Sequence, residues 1–382
     1  MATKIAFVIT KLDLGGAQKS VLYTARHISD NFEPFLLCGQ GGTLEKYAKD
    51  HIKNLHIIPS LIRQINPVKD FLAFKELAKK LKEINPQIVH TNCPKAGILG
   101  RIAAKLFTKA KVVHTTHGFV FYEGQNIFKK YFYILIERFA ALFADYMIFV
   151  SNRDLQTALK YKITTSEKAR LIRAGVTPKT KESLRFNKTK LFEELGIKEG
   201  TKIILQTANL KPEKNPLESI RIANLVCKKI PNTVFLYTGA GPLKTKSENL
   251  IKEFELENNF KLIGEREDIP HLLSIADVFI LTSIREGLPM ALLEALFMKI
   301  PAVCYNVGGI YEVLKDGENG FLIPFNCTQK AAESIINILQ GNFAFKEQSL
   351  AIMRDFDIKD MLLKQQELYT LIGDKNSLFT NI

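Results

Sequence analysis

Short apolar runs alternate with helix-type patterns along the whole chain. Runs of about four to eight apolar residues predict buried strands, and longer segments with apolar side chains three or four positions apart predict helices. The strands predicted in the first half are Lys4 to Thr10, Pro34 to Cys38, Leu55 to Ile58, Ile88 to Thr91, Val112 to Thr115, Tyr146 to Val150 and Arg170 to Ile172. The helices predicted between them include Ala17 to Ile28, Val68 to Ile84, Lys95 to Phe107, Ile127 to Phe143 and Arg153 to Tyr161. This alternation is typical of an α/β fold with a doubly wound parallel sheet.

The same alternation restarts after a charged, strand-poor stretch from Pro178 to Lys190, which we interpret as a linker. The strands predicted beyond it are Ile203 to Thr207, Thr233 to Tyr237, Lys261 to Ile263, Val278 to Leu281, Ala302 to Tyr305 and Gly320 to Ile323. A chain of 382 residues exceeds what one core usually holds, so two similar domains are expected. The predicted domains are residues 1–180 and 187–355, followed by a C-terminal segment, 356–382, that is helical from about Phe356 to Leu371.

Composition and cysteine usage are those of a globular protein without a disulfide framework. The hydrophobic share is 46%, and the five cysteines are scattered without a Cys-x-x-Cys pair, which fits a reducing cytoplasm. The amino terminus runs directly into a strand pattern and lacks the charged and apolar regions of a signal peptide. The most apolar stretch, 131–150, is interrupted by Glu137, Arg138 and Asp145, so it falls short of the roughly 20 apolar residues that a spanning helix needs.

Positive charge is concentrated in the first half. Residues 1–180 contain 28 Lys and Arg against 13 Asp and Glu, whereas the remainder contains 25 against 26. Such a field attracts nucleic acid, acidic lipid headgroups or a phosphorylated acceptor. Nucleic acid is not expected, because no binding motif or aromatic platform is present. An anionic membrane surface is supported better than nucleic acid by cations mixed with aromatics at 128–133 and by one lysine-decorated amphipathic segment, and a merely solvated basic face is an equal alternative. Its lysines are Lys69, Lys75, Lys79, Lys80 and Lys82.

Residues 283–294 carry the most informative chemistry. They follow a buried strand pattern; Gly287 allows a tight turn, and Pro289 suits the first position of a helix. The N–H groups at such a helix start attract phosphate oxygens. Glu286 lies in the loop and Glu294 about two turns into the helix. Because carboxylates repel a phosphate, these two are better suited to neutral hydroxyls, and the segment predicts a sugar-nucleotide site.

Other chemistry-bearing residues also follow strands, where ligands bind in doubly wound sheets. Lys214 follows the first strand of the second domain and can place a positive charge against a diphosphate leaving group. His117 follows a strand of the first domain, whereas His114 within that strand is expected to be structural. Gly15 and Gly16 allow a backbone to approach an anion closely, or they simply form a tight turn. The pattern G-x-G-x-x-G is absent, which disfavours an NAD enzyme, and no Asp-x-Asp pair is placed to hold a metal.

The Glu-x7-Glu spacing resembles the signature of the retaining glycosyltransferases of family 4. Further segments are similar to that family's landmarks, in its order. They are Gly15-Gly16-Ala17-Gln18, His114-Thr115-Thr116-His117-Gly118, Val150-Ser151, Ile172-Arg173-Ala174-Gly175-Val176, Leu210-Lys211-Pro212-Glu213-Lys214, Gly239-Ala240-Gly241-Pro242, and Gly264 with Asp268-Ile269-Pro270. The resemblance spans residues 4 to about 324 and implies a GT-B fold, with two Rossmann-like domains facing a cleft and a C-terminal helix that crosses back to the first.

The resemblance also implies a role for each site residue. Glu286, Lys214 and His117 would be catalytic: Glu286 would hold hydroxyls of the donor sugar, Lys214 would stabilise the diphosphate, and His117 would contact the sugar. Glu294 would bind the ribose. The other donor-binding positions would be Gly287, Leu288, Asn209 and Arg285, and the acceptor-binding positions would be Gly15 and Gly16. The family usually has an Arg where this chain has Asn209, so Lys211 or Arg285 is left as its substitute. No metal and no cofactor would be required besides the nucleotide-sugar donor substrate.

On this resemblance we expect transfer of a sugar, with retention, from a UDP-hexose or UDP-N-acetylhexosamine. The acceptor would be a polyprenyl-diphosphate-linked or other saccharide in cell-surface polysaccharide synthesis, and the enzyme would be cytoplasmic and peripheral to the inner face of the plasma membrane. One alternative is a sugar-nucleotide 2-epimerase of the same architecture, for which only His117 and Glu286 are well-placed acid or base groups. The other is a non-catalytic partner that binds the nucleotide sugar, against which the presence of both glutamates argues.

Overall fold

The computed structural model describes residues 2–122 and 124–373, which form two compact units. The first unit includes the chain up to Gly175 and again from Ile358, and the second runs from Val176 to Asp357. The second unit thus begins eleven residues before the predicted start, residue 187, and ends two residues after the predicted end, residue 355. The Val176 N–H donates to the carbonyl of Phe356 at 2.9 Å, and Val176 forms an isolated parallel bridge with Asp357.

The first unit is built on a seven-stranded parallel sheet. Its strands are β1 (Thr3–Lys11), β2 (Phe32–Gly39), β3 (Leu55–Ile57), β4 (Ile88–Asn92), β5 (Lys111–Thr116), β6 (Tyr146–Phe149) and β7 (Ala169–Leu171). They lie in the order β3-β2-β1-β4-β5-β6-β7. Every strand predicted in this half is confirmed, with ends that differ by at most two residues.

The helices that alternate with these strands are α1 (Gly16–His27), α2 (Glu45–His51), α3 (Pro67–Ile84), α4 (Pro94–Phe107), α5 (Ile127–Ala141) and α6 (Asn152–Lys160). Helix α2 escaped prediction because its seven residues bury only Ala48, which is too little to show a helical period. Helices α3, α5 and α6 begin at side-chain caps. The Asn66 side chain accepts from the Lys69 N–H before α3, and the Ser151 hydroxyl accepts from the Asp154 N–H before α6.

The second unit repeats the plan with six parallel strands. They are β8 (Lys202–Thr207), β9 (Thr233–Thr238), β10 (Phe260–Leu262), β11 (Val278–Leu281), β12 (Ala302–Tyr305) and β13 (Gly320–Ile323), in the order β10-β9-β8-β11-β12-β13. Its helices are α7 (Lys188–Leu195), α8 (Pro216–Lys229), α9 (Lys244–Glu253), α10 (Ile269–Ile275), α11 (Met290–Phe297), α12 (Ile310–Val313) and α13 (Thr328–Leu339). All six predicted strands are confirmed.

Two local predictions in this unit were wrong. The predicted linker, 178–190, already contains the start of α7, because the Asn187 side chain caps that helix by accepting from the Lys190 N–H. Pro289 is the residue before α11 rather than its first residue. Its carbonyl accepts from the Leu292 N–H at 3.1 Å, so Pro289 starts the helical hydrogen bonding while its own backbone stays extended.

Helix α14 (Ile358–Gly373) returns to the first unit and packs on one face of its sheet with α1. Buried polar contacts fix it there: a 2.6 Å hydrogen bond joins Tyr369 Oη to His90 Nδ1, and Thr24 Oγ1 donates to Gln365 Oε1 at 2.8 Å. Helices α3 and α4 cover the opposite face. Of the helices in the described part of the chain, none combines the length and apolarity that crossing a bilayer requires.

Candidate active site

Glu286 and Lys214 lie 72 positions apart in the sequence and meet in the second unit. Lys214 Nζ donates to Glu286 Oε1 at 2.6 Å, and Ser283 Oγ donates to the same oxygen at 2.6 Å. The Glu286 side chain is 8% exposed and that of Lys214 26%, so water screens this ion pair only partly. The two residues meet because they follow β8 and β11, which are neighbours in the sheet.

Further hydrogen bonds join the two loops that carry this pair. Lys214 ends a short 3-10 helix, Pro212–Lys214, and the Glu213 carbonyl accepts from the Ile284 N–H at 2.9 Å. Thr282 Oγ1 lies 3.0 Å from the Asn215 carbonyl and 3.2 Å from that of Lys214. Sequence reasoning missed Thr282 and Ser283; the available signal was a pair of hydroxyl side chains at the end of a buried strand. Thr282 holds the lysine loop, and Ser283 holds the carboxylate of Glu286.

A glycine pair after β12 supports the glutamate loop from another side. The Gly309 N–H donates to the Gly287 carbonyl at 2.7 Å. Gly308 has a φ of 59°, and a Cβ at this position would lie 1.8 Å from the Glu286 carbonyl oxygen. Only glycine accommodates both the left-handed backbone and the close approach.

The remaining donor-binding candidates lie on the same two loops or on α11. Leu288 and Gly287 are buried, Arg285 is half-buried, and Glu294 is half-buried in the second turn of α11. Asn209 lies half-buried in the loop that follows β8 and leads to Lys214. Its carbonyl accepts from Tyr237 Oη at 3.3 Å. The structure therefore positions the backbone of Asn209 through a neighbouring strand.

In the first unit, His117 follows β5 and contacts the last residue of β4. Its Nε2 lies 3.0 Å from Asn92 Oδ1. Because a carbonyl oxygen only accepts, Nε2 carries the proton and donates, which leaves the Nδ1 lone pair available as an acceptor. Removal from water lowers the pKa of His117 to about 4, so the ring is neutral at pH 7. A neutral imidazole of this tautomer can accept a hydrogen bond from a hydroxyl.

His114 is buried in the sheet, where its Nδ1 lies 2.9 Å from Thr91 Oγ1. Its pKa is lowered well below the usual value, first by burial and then by the charge of Arg101. The expected structural role of His114 agrees with this position.

Gly15 and Gly16 lie at the start of α1, directly after β1. Gly15 precedes the helix with an extended backbone, and its carbonyl accepts from the Lys19 N–H at 3.0 Å. Both glycines are partly accessible. They share the carboxyl edge of the sheet with His117, since β1 and β5 are parallel members of it. Within residues 2–122 and 124–373, no group of three or more His, Cys, Asp or Glu side chains is arranged to hold a metal ion.

Comparison with known proteins identifies the class to which this fold belongs. Anabaena HepE, solved in complex with UDP and glucose, superposes with a TM-score of 0.79 at 19% identity, over 96% of this chain and 99% of that one. A glycosyltransferase from Rickettsia africae superposes with a TM-score of 0.75 at 24% identity, over 98% and 100% of the two chains. The fold is GT-B, with two Rossmann-like units.

Sequence comparison gives the family. Residues 14–180 match the model of Glycosyltransferase Family 4, and residues 187–352 match that of Glycosyl transferases group 1. An Escherichia coli UDP-Gal:alpha-D-GlcNAc-diphosphoundecaprenol alpha-1,3-galactosyltransferase is 32% identical over 374 residues, which is 96% of each chain. The Escherichia coli O-antigen biosynthesis glycosyltransferase WbnH is 26% identical over 357 residues, or 93% of this chain and 96% of that relative. The chain belongs to glycosyltransferase family 4.

Proposed function

We propose that this protein is a retaining glycosyltransferase that moves a hexose or N-acetylhexosamine from UDP to a lipid-linked or other saccharide acceptor in surface polysaccharide synthesis. The observation that carries the proposal is the Lys214–Glu286 contact beside the start of α11. In a sugar nucleotide the diphosphate is bonded to the anomeric carbon, so the phosphate and the sugar hydroxyls are neighbours. The Lys214 cation suits the phosphate, and the adjacent Glu286 carboxylate suits the sugar hydroxyls.

The charge that develops in the reaction assigns each group a role. As the bond between the sugar and the diphosphate lengthens, negative charge grows on the leaving phosphate, and Lys214 with the N–H groups at the start of α11 stabilises it. Glu286, held by Lys214 and Ser283, accepts hydrogen bonds from sugar hydroxyls. Glu294 binds the ribose. Gly287, Leu288, Asn209 and Arg285 are proposed to complete the donor site, with Arg285 or Lys211 supplying the cation that Asn209 lacks.

For the first unit we propose separate roles. His117 presents its Nδ1 to a sugar hydroxyl, and the N–H groups after Gly15 and Gly16 bind the acceptor. The relative whose name includes a UDP-galactose donor and an undecaprenyl-diphosphate-linked acceptor supports a UDP donor and a lipid-linked acceptor here. With such an acceptor the enzyme would work at the inner, cytoplasmic face of the plasma membrane. No cofactor beyond the donor substrate is proposed.

The test is a transfer assay with UDP-galactose, UDP-glucose and UDP-N-acetylglucosamine on a short-chain diphosphate-linked saccharide. Glu286→Gln and Lys214→Met should each lower kcat/KM on the order of a hundredfold, because each removes a charged hydrogen-bond partner from the site. Lys299 and Glu347 provide a matched control, since their exposed ion pair has the same 2.6 Å distance. Lys299→Met and Glu347→Gln should leave kcat/KM unchanged. Wild-type activity in a folded Glu286→Gln enzyme would contradict the assignment.

Product analysis separates the alternatives. Retention requires an α-linked product from an α-linked donor, which the anomeric proton coupling in the NMR spectrum reports. Incubation with donor alone detects a 2-epimerase, since that enzyme would convert the nucleotide sugar without acceptor. A protein that binds UDP-sugars but transfers nothing to any acceptor would support the non-catalytic alternative.

A further inference from the structure

Helix α5 is apolar on two opposite faces. Its inner face buries Ile134, Ala140 and Ala141 in the first unit. Seven further apolar side chains are 52–82% exposed: Ile127, Phe128, Tyr131, Phe132, Leu135, Phe139 and Leu142, the last of which caps the helix. At 100° per residue these seven fall within one sector about 140° wide, opposite the buried residues. We call this sector the α5 surface.

An apolar surface of this size is unusual on a protein exposed to water. Seven large side chains at half exposure or more present roughly 600 Å² of apolar area, which is at the upper end of the largest patch found on typical monomers. A helix that is apolar on all sides is normally buried. The α5 surface therefore indicates a site that another apolar body covers.

The charges on α5 indicate what that body is. The helix contains one acidic residue, Glu137, and that side chain is buried against Arg101, with 3.6 Å between Oε2 and Nη2. Its exposed charges are cations: on the same projection Arg138 lies within the α5 surface, and Lys129 lies about 60° beyond its edge. The outer side of the helix thus combines aromatic and aliphatic side chains with positive charge and presents no carboxylate of its own.

We propose that the α5 surface inserts into the headgroup region of an anionic phospholipid bilayer. The apolar side chains would reach the acyl boundary, and Lys129 and Arg138 would contact lipid phosphates. A second copy of the chain fits less well, because a symmetric contact would bring the same cations together. The proposal rests on the membrane-linked acceptor of the proposed function, but its test measures lipid binding and is independent of turnover.

Helix α3 is the weaker docking element, although its lysines also suggested a membrane. Its exposed apolar residues are confined to the first turns, at Val68, Phe71 and Leu72. Farther along, Glu83 is exposed beside the lysines and pairs with Lys80 at 2.5 Å. Part of the positive charge on this helix is therefore already neutralised.

Flotation of the full chain with vesicles tests the proposal. Phosphatidylcholine vesicles containing phosphatidylglycerol should bind the protein, and pure phosphatidylcholine should bind it much less. Combined Phe128→Ser, Phe132→Ser and Leu135→Ser should weaken binding at least about tenfold without unfolding the protein, because these side chains already contact water. Leu363→Ser with Leu371→Ser, on exposed leucines of α14 in the same unit, is the matched control and should bind as wild type does.

Charge reversal and self-association complete the test. Lys129→Glu with Arg138→Glu should abolish the preference for phosphatidylglycerol and its dependence on salt. Equal binding of the triple serine variant and wild type would overturn the proposal. The proposal would also be overturned if wild type sedimented as a dimer, the triple serine variant sedimented as a monomer, and neither protein bound vesicles. A second copy of the chain would then cover the α5 surface. Turnover on the short-chain, water-soluble acceptor should be unchanged in all these variants, so failure of the docking proposal is distinguishable from failure of the catalytic one.

Discussion

At the scale of single residues, hydrogen bonds fix the side chains that we propose for the site. Glu286 Oε1 accepts from both Lys214 and Ser283, and in the first unit Asn92 Oδ1 accepts from His117. These contacts fix Oε1 of the Glu286 carboxylate and Nε2 of the His117 ring, and thereby orient Oε2 and Nδ1 of the same side chains. Glu286 Oε2 and His117 Nδ1 are the atoms we propose to meet sugar hydroxyls.

The contact between Asn92 and His117 gives a prediction about protonation. In Asn92→Asp a carboxylate replaces the amide 3.0 Å from Nε2 and should stabilise the imidazolium, raising the pKa of His117 from about 4 by at least about one unit. NMR titration of the His117 ring measures this pKa. Transfer should then fall as the pH drops through the raised pKa, because a protonated Nδ1 no longer accepts from a hydroxyl.

Asn54→Asp is the control for this prediction. Asn54 belongs to the same unit and donates through Nδ2 to the Pro34 carbonyl at 3.2 Å. A carboxylate there should leave the titration of His117 as it is in wild type. An unshifted His117 pKa in Asn92→Asp would show that Asn92 does not fix the ring.

At the scale of elements, the junction between β8 and β11 positions the Lys214–Glu286 pair. Thr282 directly follows β11, and its Oγ1 lies within hydrogen-bond distance of Gln206 on β8, Ser219 on α8 and the carbonyls of Lys214 and Asn215. One buried hydroxyl thus connects a strand, a helix and the lysine loop. Its position depends on the sheet order, because residues 207 and 282 approach only when β8 and β11 are neighbours.

We predict that Thr282→Val destabilises the second unit by about 1–3 kcal/mol. Valine keeps the volume of the side chain but lacks the hydroxyl, so the buried partners of Thr282 lose a hydrogen bond. It should also lower kcat, since Lys214 would no longer be held beside Glu286. Urea unfolding and the transfer assay measure the two effects. Thr233→Val is the matched control: Thr233 is fully buried at the start of β9, and its Oγ1 has no partner among the described residues. Equal stability of the two variants would contradict the prediction.

At the scale of the whole molecule, the two units differ in their dependence on pH. The histidines with lowered pKa in the first unit include His90 at about 3, His117 at about 4, and His114 well below the usual range. Burial is the first cause in each case. These rings are neutral in the folded state and take up protons on unfolding once the pH is below about 6.5.

We therefore predict that acidification destabilises the first unit before the carboxylates titrate. Since the unfolded state binds more protons between the folded pKa values and about 6.5, this contribution is fully present above pH 6.5 and is lost as the pH falls. Each fully buried histidine, His90 and His114, should account for about 1.4 kcal/mol per pH unit. Hydrogen exchange of β4 and α14 between pH 7 and 5 measures the loss in this unit alone.

A variant distinguishes the histidines from other acid effects. His90→Gln removes one titrating ring, although it also breaks the contact with Tyr369. The variant should show lower hydrogen-exchange protection at pH 7. The slope of its unfolding free energy against pH should be smaller by the contribution of about one proton. An unchanged slope would show that His90 does not titrate on unfolding.

Much of the architecture could be read from the sequence. All thirteen strands were predicted, because a buried parallel strand is a short apolar run bounded by polar residues, and that signal is local. Glu286, Lys214 and His117 lie beyond the carboxyl ends of strands, as the sequence pattern indicates, and their roles stay a prediction. Helix α2, the start of α7 and the position of Pro289 were missed or misplaced, because short helices and helix ends depend on single hydrogen bonds.

What the sequence alone determined is the set of strands and the residues that follow them, since a buried strand is a local pattern. The tertiary structure decided which ends meet: Lys214 with Glu286, and Thr282 with the lysine loop. It also decided which apolar face of α5 stays exposed, because one helix offered two faces and the sheet could bury only one. The physical reason is the same in both cases, since contacts between distant residues depend on strand order and packing, which no local pattern specifies.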